Sequence, residues 1–242
     1  MLTVKNVTKS FGGVQAVKGS NFSAEKGKIT ALIGPNGAGK TTLFNIIAGF
    51  LKPDTGTVTF QGKNITNNAP HKIARLGISR TFQQVRLFKY LTIFDHLRMV
   101  EDHKDTHMFC QLFSRVQVNR DPYEQLLKDF GIERDLDTSV GDLSYGQRKL
   151  LDIAMRLRMQ HRILLFDEPV AGVNSVIQEQ IEALLLRLKE QGETILLIDH
   201  DMAFVRKLAD HVIALDAGVV IAEGAPEIVL SDARVLEAYL GE

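Results

Sequence analysis

Residues 29–42 read Ile-Thr-Ala-Leu-Ile-Gly-Pro-Asn-Gly-Ala-Gly-Lys-Thr-Thr, an apolar run that breaks into glycines and ends on a lysine and two hydroxyls. Within it, Gly34-Pro35-Asn36-Gly37-Ala38-Gly39-Lys40-Thr41 meets every fixed position of the phosphate-binding pattern G-x-x-x-x-G-K-[ST]. The chemistry needs each part. Gly34, Gly37 and Gly39 permit turns closed to other residues and bring N–H groups close to an anion. Lys40 places a point charge on terminal phosphates, and the Thr41 hydroxyl can ligate Mg²⁺. From Thr41 to Leu51 the apolar residues Leu43, Ile46, Ile47 and Phe50 fall at helical spacing, so a helix beginning beside Thr41 and Thr42 faces the phosphates with its N-terminus. The alternative, a glycine-rich turn with no ligand, is outweighed by this strand–loop–helix context. The stretch implies a bound nucleotide.

Composition narrows the class. At 242 residues with 45% hydrophobic content, the chain suits one α/β domain, or one domain with a subdomain. Lys and Arg number 29, as do Asp and Glu, so no overall charge field argues for nucleic acid or an acidic membrane surface. The single cysteine, Cys110, excludes a disulfide framework and fits a reducing compartment. The start, MLTVKNVTKSF, is no signal peptide, and the longest apolar runs are too short to cross a bilayer. The expectation is a cytosolic protein that can still dock on a membrane protein.

Before the loop, Leu2–Phe11 and Val14–Phe22 read as a strand and its return, joined at Gly12-Gly13. Phe11 is either a platform for a purine base or a core residue before a turn. After the first helix, Thr57–Gln61 alternates like a strand, Pro70 opens a helix, and Ile78–Gln83 reads as a strand ending in glutamine. Residues 87–142 have no strand-like runs. Helical spacing at Ile93, Leu97 and Val100, and again at Tyr123, Leu126, Leu127 and Phe130, predicts a mostly helical insertion. Met108–Phe113 is apolar enough for a core helix or a contact surface. His71, His103 and His107 have no partners at metal-ligand spacing and read as surface residues.

Ser144 and Gln147 stand in the capping-box relation ahead of Leu150, Ile153, Ala154 and Leu157. A helix N-terminus bearing Ser144 and Gly146 is a second candidate anion site. Ile163–Phe166 is a wholly apolar strand that ends in Asp167 and Glu168, as expected in the middle of a parallel sheet whose C-terminal ends carry the site. There Asp167 suits the water shell of Mg²⁺ and Glu168 suits an attacking water. Two merely solvated carboxylates are a weak alternative beside a complete phosphate loop. Ser175–Gln191 is an amphipathic helix, and Thr194–Ile198 is a buried strand followed by Asp199 and His200, the latter placed to meet a γ-phosphate. Met202–Ala209 reads as a helix, Val212–Leu215 with Val219–Ala222 as a hairpin, and Pro226–Leu240 as a last helical stretch.

In this order the motifs resemble the ATP-binding subunits of ABC transporters over the whole chain. Phe11 matches the adenine-stacking aromatic, Gly34–Thr41 the Walker A loop, Gln83 the Q-loop glutamine and Leu143–Gln147 the signature. Ile163–Glu168 matches Walker B with its catalytic glutamate, Ala171–Asn174 the D-loop, and His200 the switch histidine. The fold this implies is α/β: a P-loop NTPase with a mixed sheet core, an N-terminal antiparallel β subdomain and an inserted α-helical subdomain. About 1–86 and 159–242 would form the core, and about 87–158 the helical part with the signature. The resemblance further implies an ATPase acting as a head-to-tail dimer, with itself or a paralogue. Ser144, Gly146 and Gln147 of one subunit would meet the γ-phosphate lying on Lys40 of the other. Thr41, Gln83 and Asp167 would serve Mg²⁺, Glu168 would activate water, and His200 would hold the γ-phosphate. The helical part would rotate about Gln83 as ATP binds, driving membrane permeases served by an external binding protein.

FGGVQAV, SRTFQQVRLF, LSYGQ, AGVN and the final EAYLGE look like the larger ATPase of branched-chain amino acid importers. Tyr145 and Asn174 depart from the general family pattern but agree with that subfamily. Asp199, Ser175 and the segment Arg156–His161 depart from the usual pattern, and none of them touches the phosphate chemistry. Rival readings are an ABC ATPase for another cargo, such as urea or a lipid component, and a soluble ABC ATPase of DNA repair or translation. The latter carry long coiled-coil insertions or paired cassettes, which this chain lacks.

Overall fold

In the computed structural model, which describes residues 1–82, 85–100 and 119–240, the chain opens with an antiparallel hairpin of β1 (Leu2–Phe11) and β2 (Val14–Ala24). β3 (Ile29–Ile33) follows and runs through the phosphate-loop residues into α1 (Lys40–Ile47). Next come β4 (Thr55–Phe60), β5 (Lys63–Asn64), α2 (Pro70–Arg75), with its proline at the helix start, and β6 (Ile78–Arg80). α3 (Ile93–Met99), α4 (Asp121–Asp129) and α5 (Tyr145–Arg158) supply the helical middle. The last third alternates: β7 (Ile163–Asp167), α6 (Ser175–Glu190), β8 (Ile195–Ile198), α7 (Met202–Leu208), β9 (His211–Asp216), β10 (Val219–Gly224), α8 (Pro226–Val229) and α9 (Ala233–Leu240).

The strands form two sheets. One is antiparallel, in the order β2-β1-β4-β5; the other is six-stranded, in the order β10-β9-β3-β8-β7-β6. In the second, only β10 runs antiparallel to its neighbour. β3, β7 and β8 are buried at every residue, because strands inside a parallel sheet are covered on both faces. Leu43, Phe44, Ile46 and Ile47 of α1 join side chains of both sheets in one continuous core.

The described residues divide into two compact units, residues 1–83 with 161–171 and 181–242, and residues 84–160 with 172–180. Both sheets belong to the first. The second is held by its own contacts. Thr92 and Asp95 form a capping box at the start of α3, Phe94 packs edge-on against Tyr123 at 5.1 Å, and the Arg158 guanidinium lies 4.7 Å from the Tyr123 ring centroid. Residues 172–180, which a boundary near residue 159 leaves with the core, cluster with this helical unit.

Three expectations need correction or lie out of reach. The strand expected over Ile78–Gln83 stops at Arg80; it is the edge strand of its sheet, and only the Thr81 N–H continues the ladder, to the Leu165 carbonyl at 2.9 Å. The final helical stretch is two helices, broken where the Ser231 hydroxyl bonds the Glu227 and Ile228 carbonyls and Asp232 accepts from the Arg234 N–H. Gln83, Met108–Phe113, His103 and His107 lie outside the described residues.

Candidate functional site

The C-terminal ends of β3, β8 and β7 lie side by side in the sheet, and each runs into a segment singled out above: Gly34–Thr42, Asp199-His200 and Asp167-Glu168. At Gly34 the backbone has φ +146, and a Cβ there would land on the Leu215 carbonyl oxygen of β9. Gly37 and Gly39 are left-handed as well, at φ +80 and +101. The loop curls around Lys40, whose ammonium is buried and donates to the carbonyls of Gly34 at 2.6 Å and Pro35 at 2.8 Å. Pro35 and Ala38 are buried supports, whereas Asn36, Gly37 and Thr41 are exposed and Thr42 is half-buried. α1 begins with no side-chain cap and no acidic residue in its first turn. The positive end of its dipole is therefore not offset by a local carboxylate, a donor arrangement that fits a phosphate chain.

Asp167 is buried, and its Oδ2 accepts from Arg80 Nη2 at 2.9 Å. The same guanidinium donates through Nη1 to Asn45 of α1 at 2.7 Å and lies within 5.4–5.9 Å of the rings of Phe82, Phe44 and Phe50. Burial raises the pKa of Asp167, and Arg80 and Lys40 pull against that rise. Glu168 has φ +49, a strained conformation for a residue with a side chain. Its N–H donates to the Ile198 carbonyl at 2.9 Å, and its own carbonyl accepts from Ala171 at 3.2 Å. The ring Nδ1 of His200 stands 3.8 Å from Glu168 Oε1, facing it but too far for a hydrogen bond. Asp199, 1% exposed, fixes the backbone here by accepting from the N–H groups of His200 and Asp201 at 2.8 and 3.0 Å, and burial raises its pKa.

Phe11 ends β1 with 44% of its surface exposed, and Lys9 Nζ lies 5.6 Å from its ring centroid. Of its two readings, the core residue is excluded. In the helical unit, the capping box at α5 is complete: the Gln147 N–H donates to Ser144 Oγ at 3.2 Å, and the Ser144 N–H to Gln147 Oε1 at 3.0 Å. Gly146 is buried because α6 comes close; a Cβ would lie 2.7 Å from Ile177 Cγ1. Two contacts were not foreseen. Arg80 on Asp167 is one, and its signal was an arginine inside an otherwise buried strand. The other is Tyr239 of α9, whose hydroxyl accepts from the Gly34 N–H at 2.7 Å across 205 residues of sequence, with no local signal at all. Among the described residues, no three His, Cys, Asp or Glu side chains gather to hold a metal by themselves, and no helix is long and apolar enough to cross a membrane.

The family model described as ABC transporter matches residues 17–171, which span the phosphate loop, the capped helix and both strand-end carboxylates. The chain belongs to the ABC transporter family. As an ATP-binding cassette it is an ATPase, and its fold is the one seen in other cassettes. A second model, described as Branched-chain amino acid ATP-binding cassette transporter, matches residues 219–242 of the cassette. BraF of Pseudomonas aeruginosa, a high-affinity branched-chain amino acid transport ATP-binding protein, is 38% identical to it over 100% of this chain and 98% of BraF. Among solved structures, the ADP conformation of an ATP-binding cassette superposes with a TM-score of 0.84 at 34% identity, covering 100% of this chain and 99% of the other. A dimeric cassette in a post-hydrolysis state with ADP and phosphate superposes with a TM-score of 0.75 at 29% identity, covering 93% and 99%.

Proposed function

We propose that this cassette energises the import of branched-chain amino acids through membrane permeases, from the inner face of the cell membrane. The observation that carries the cargo is the match of residues 219–242 to the branched-chain model, in addition to the general cassette match. The full-length similarity to BraF supports it.

In the proposed site, ATP lays its adenine on Phe11 and its phosphates along Gly34–Thr42, with Lys40 on the terminal groups. Thr41 and Asp167 offer the hard oxygens that Mg²⁺ prefers, and the lack of an all-protein cage among the described residues suits a cation shared with phosphates. Bound there, Mg²⁺ would offset the charge on the phosphate oxygens. Gln83 completes the proposed set from outside the described residues. Glu168 accepts a proton from the water that attacks the γ-phosphorus, the bond to the β-phosphate oxygen breaks, and ADP and phosphate leave. His200, facing Glu168, holds the γ-phosphate. Two cassettes pair head to tail, so that Ser144, Gly146 and Gln147 of one complete the site of the other.

The cargo is tested by reconstituting the cassette in liposomes with the permeases that co-purify with it and the binding protein that serves them. ATP-dependent uptake of leucine, isoleucine and valine is expected. Uptake of urea or another solute in their place would overturn the assignment.

A further inference from the structure

The phosphate loop is held from the far end of the chain. Gly34, where β3 turns into the loop, has both backbone polar groups engaged: its carbonyl by Lys40 Nζ at 2.6 Å and its N–H by the Tyr239 hydroxyl at 2.7 Å. The β9–β10 turn grips the other side of the loop, with the Gly218 N–H donating to the Ala38 carbonyl at 3.1 Å. The Leu215 carbonyl closes the space beside Gly34. Lys40 can serve a terminal phosphate only by turning from the Gly34 and Pro35 carbonyls. When it does, the bond to Tyr239 still fixes the Gly34 peptide.

We propose that Tyr239 is a positioning residue for the phosphate loop, through which α9 sets the affinity for nucleotide. The proposal rests on reading Gly34–Thr42 as the phosphate site of ATP. Tyr239 acts on the loop and not on the nucleotide, so its loss should weaken binding and spare the chemical step. The competing reading is a staple that holds α9 to the sheet and has no bearing on the loop.

The test compares Tyr239→Phe with Leu240→Ala, a change at an exposed neighbour in the same helix, and with Lys40→Ala. ATP affinity is titrated well below the melting temperature, and KM and kcat are measured in parallel. Tyr239→Phe should raise Kd and KM about 3–10-fold, the range of one net hydrogen bond, with kcat within about twofold. Leu240→Ala should leave all three unchanged. A lowered melting temperature with Kd and KM unmoved, or an equal shift in Leu240→Ala, would overturn the proposal. Lys40→Ala separates the two levels. If it binds ATP normally, the phosphate-site reading itself falls; if it loses binding while Tyr239→Phe does not, only the role of Tyr239 falls.

Discussion

At φ +49, Glu168 holds a backbone conformation that costs a residue with a side chain about 1–3 kcal/mol, and its bonds to Ile198 and Ala171 keep it there. Strain retained at a strand end beside the phosphate loop fits the proton-acceptor role proposed for Glu168. Glu168→Gln should therefore bind ATP with near-normal affinity yet turn it over at least about 100-fold more slowly, as single-turnover phosphate release would read. Unchanged turnover would remove Glu168 from the chemistry. Asp199 offers a different single-residue test. Burial raises its pKa, so the folded state holds the proton more tightly than the unfolded one. The cost of its charge grows as the pH rises from the unfolded pKa to the folded one, is complete above the folded pKa, and fades as the pH falls back toward the unfolded value. Asp199→Asn should melt above wild type at neutral pH, with the gap narrowing on acidification toward about pH 4. A gap that widens with acid would contradict the assignment.

Two helices come close where α5 passes the start of α6. With a Cβ at Gly146 only 2.7 Å from Ile177 Cγ1, Gly146→Ala should destabilise by about 1–3 kcal/mol in chemical denaturation. Adding Ile177→Ala should recover much of that loss, a non-additivity expected only if the two side chains compete for one space. This contact also marks where the sequence was legible and where it was not. β3, β7 and β8 announced themselves as short apolar runs, and the cap at Ser144 as a spacing of three, because each is a local pattern with a local cause. The unit boundary inside α6 left no trace, since helical periodicity continues through Gln180 without a break. The break within the last helical stretch left no signal either, because Ser231 and Asp232 are ordinary polar residues until their bonds beside it are known. Arg80 and Tyr239 escaped for a related reason: their partners, Asp167 and Gly34, are distant in sequence, and only the sheet order brings them close.

On the scale of the whole molecule, the proposed dimer separates two properties that a self-contained ATPase would join. Ser144 caps a helix in one unit while the phosphate loop belongs to the other. If Ser144 serves a second copy, Ser144→Arg should leave ATP binding by the isolated subunit intact and abolish the ATP-dependent dimer that Glu168→Gln accumulates, as light scattering would measure. Loss of binding by the monomer would contradict pairing across subunits. The sheet order has a bearing on how the molecule is made. β3 pairs only with β8 and β9, in the registers Ile29 with Ile195 and Thr30 with His211, whereas the antiparallel sheet needs nothing beyond Asn64. At a synthesis rate of about 5–20 residues per second, the strand leading into the phosphate loop waits on the order of ten seconds for either neighbour. Its side chains, apolar except for Thr30, lack their sheet partners throughout that interval. The loop's last support, Tyr239, emerges later still. By the proposal above, a nascent chain without it would hold ATP more weakly, so full affinity for nucleotide would come only after α9 has joined the sheet.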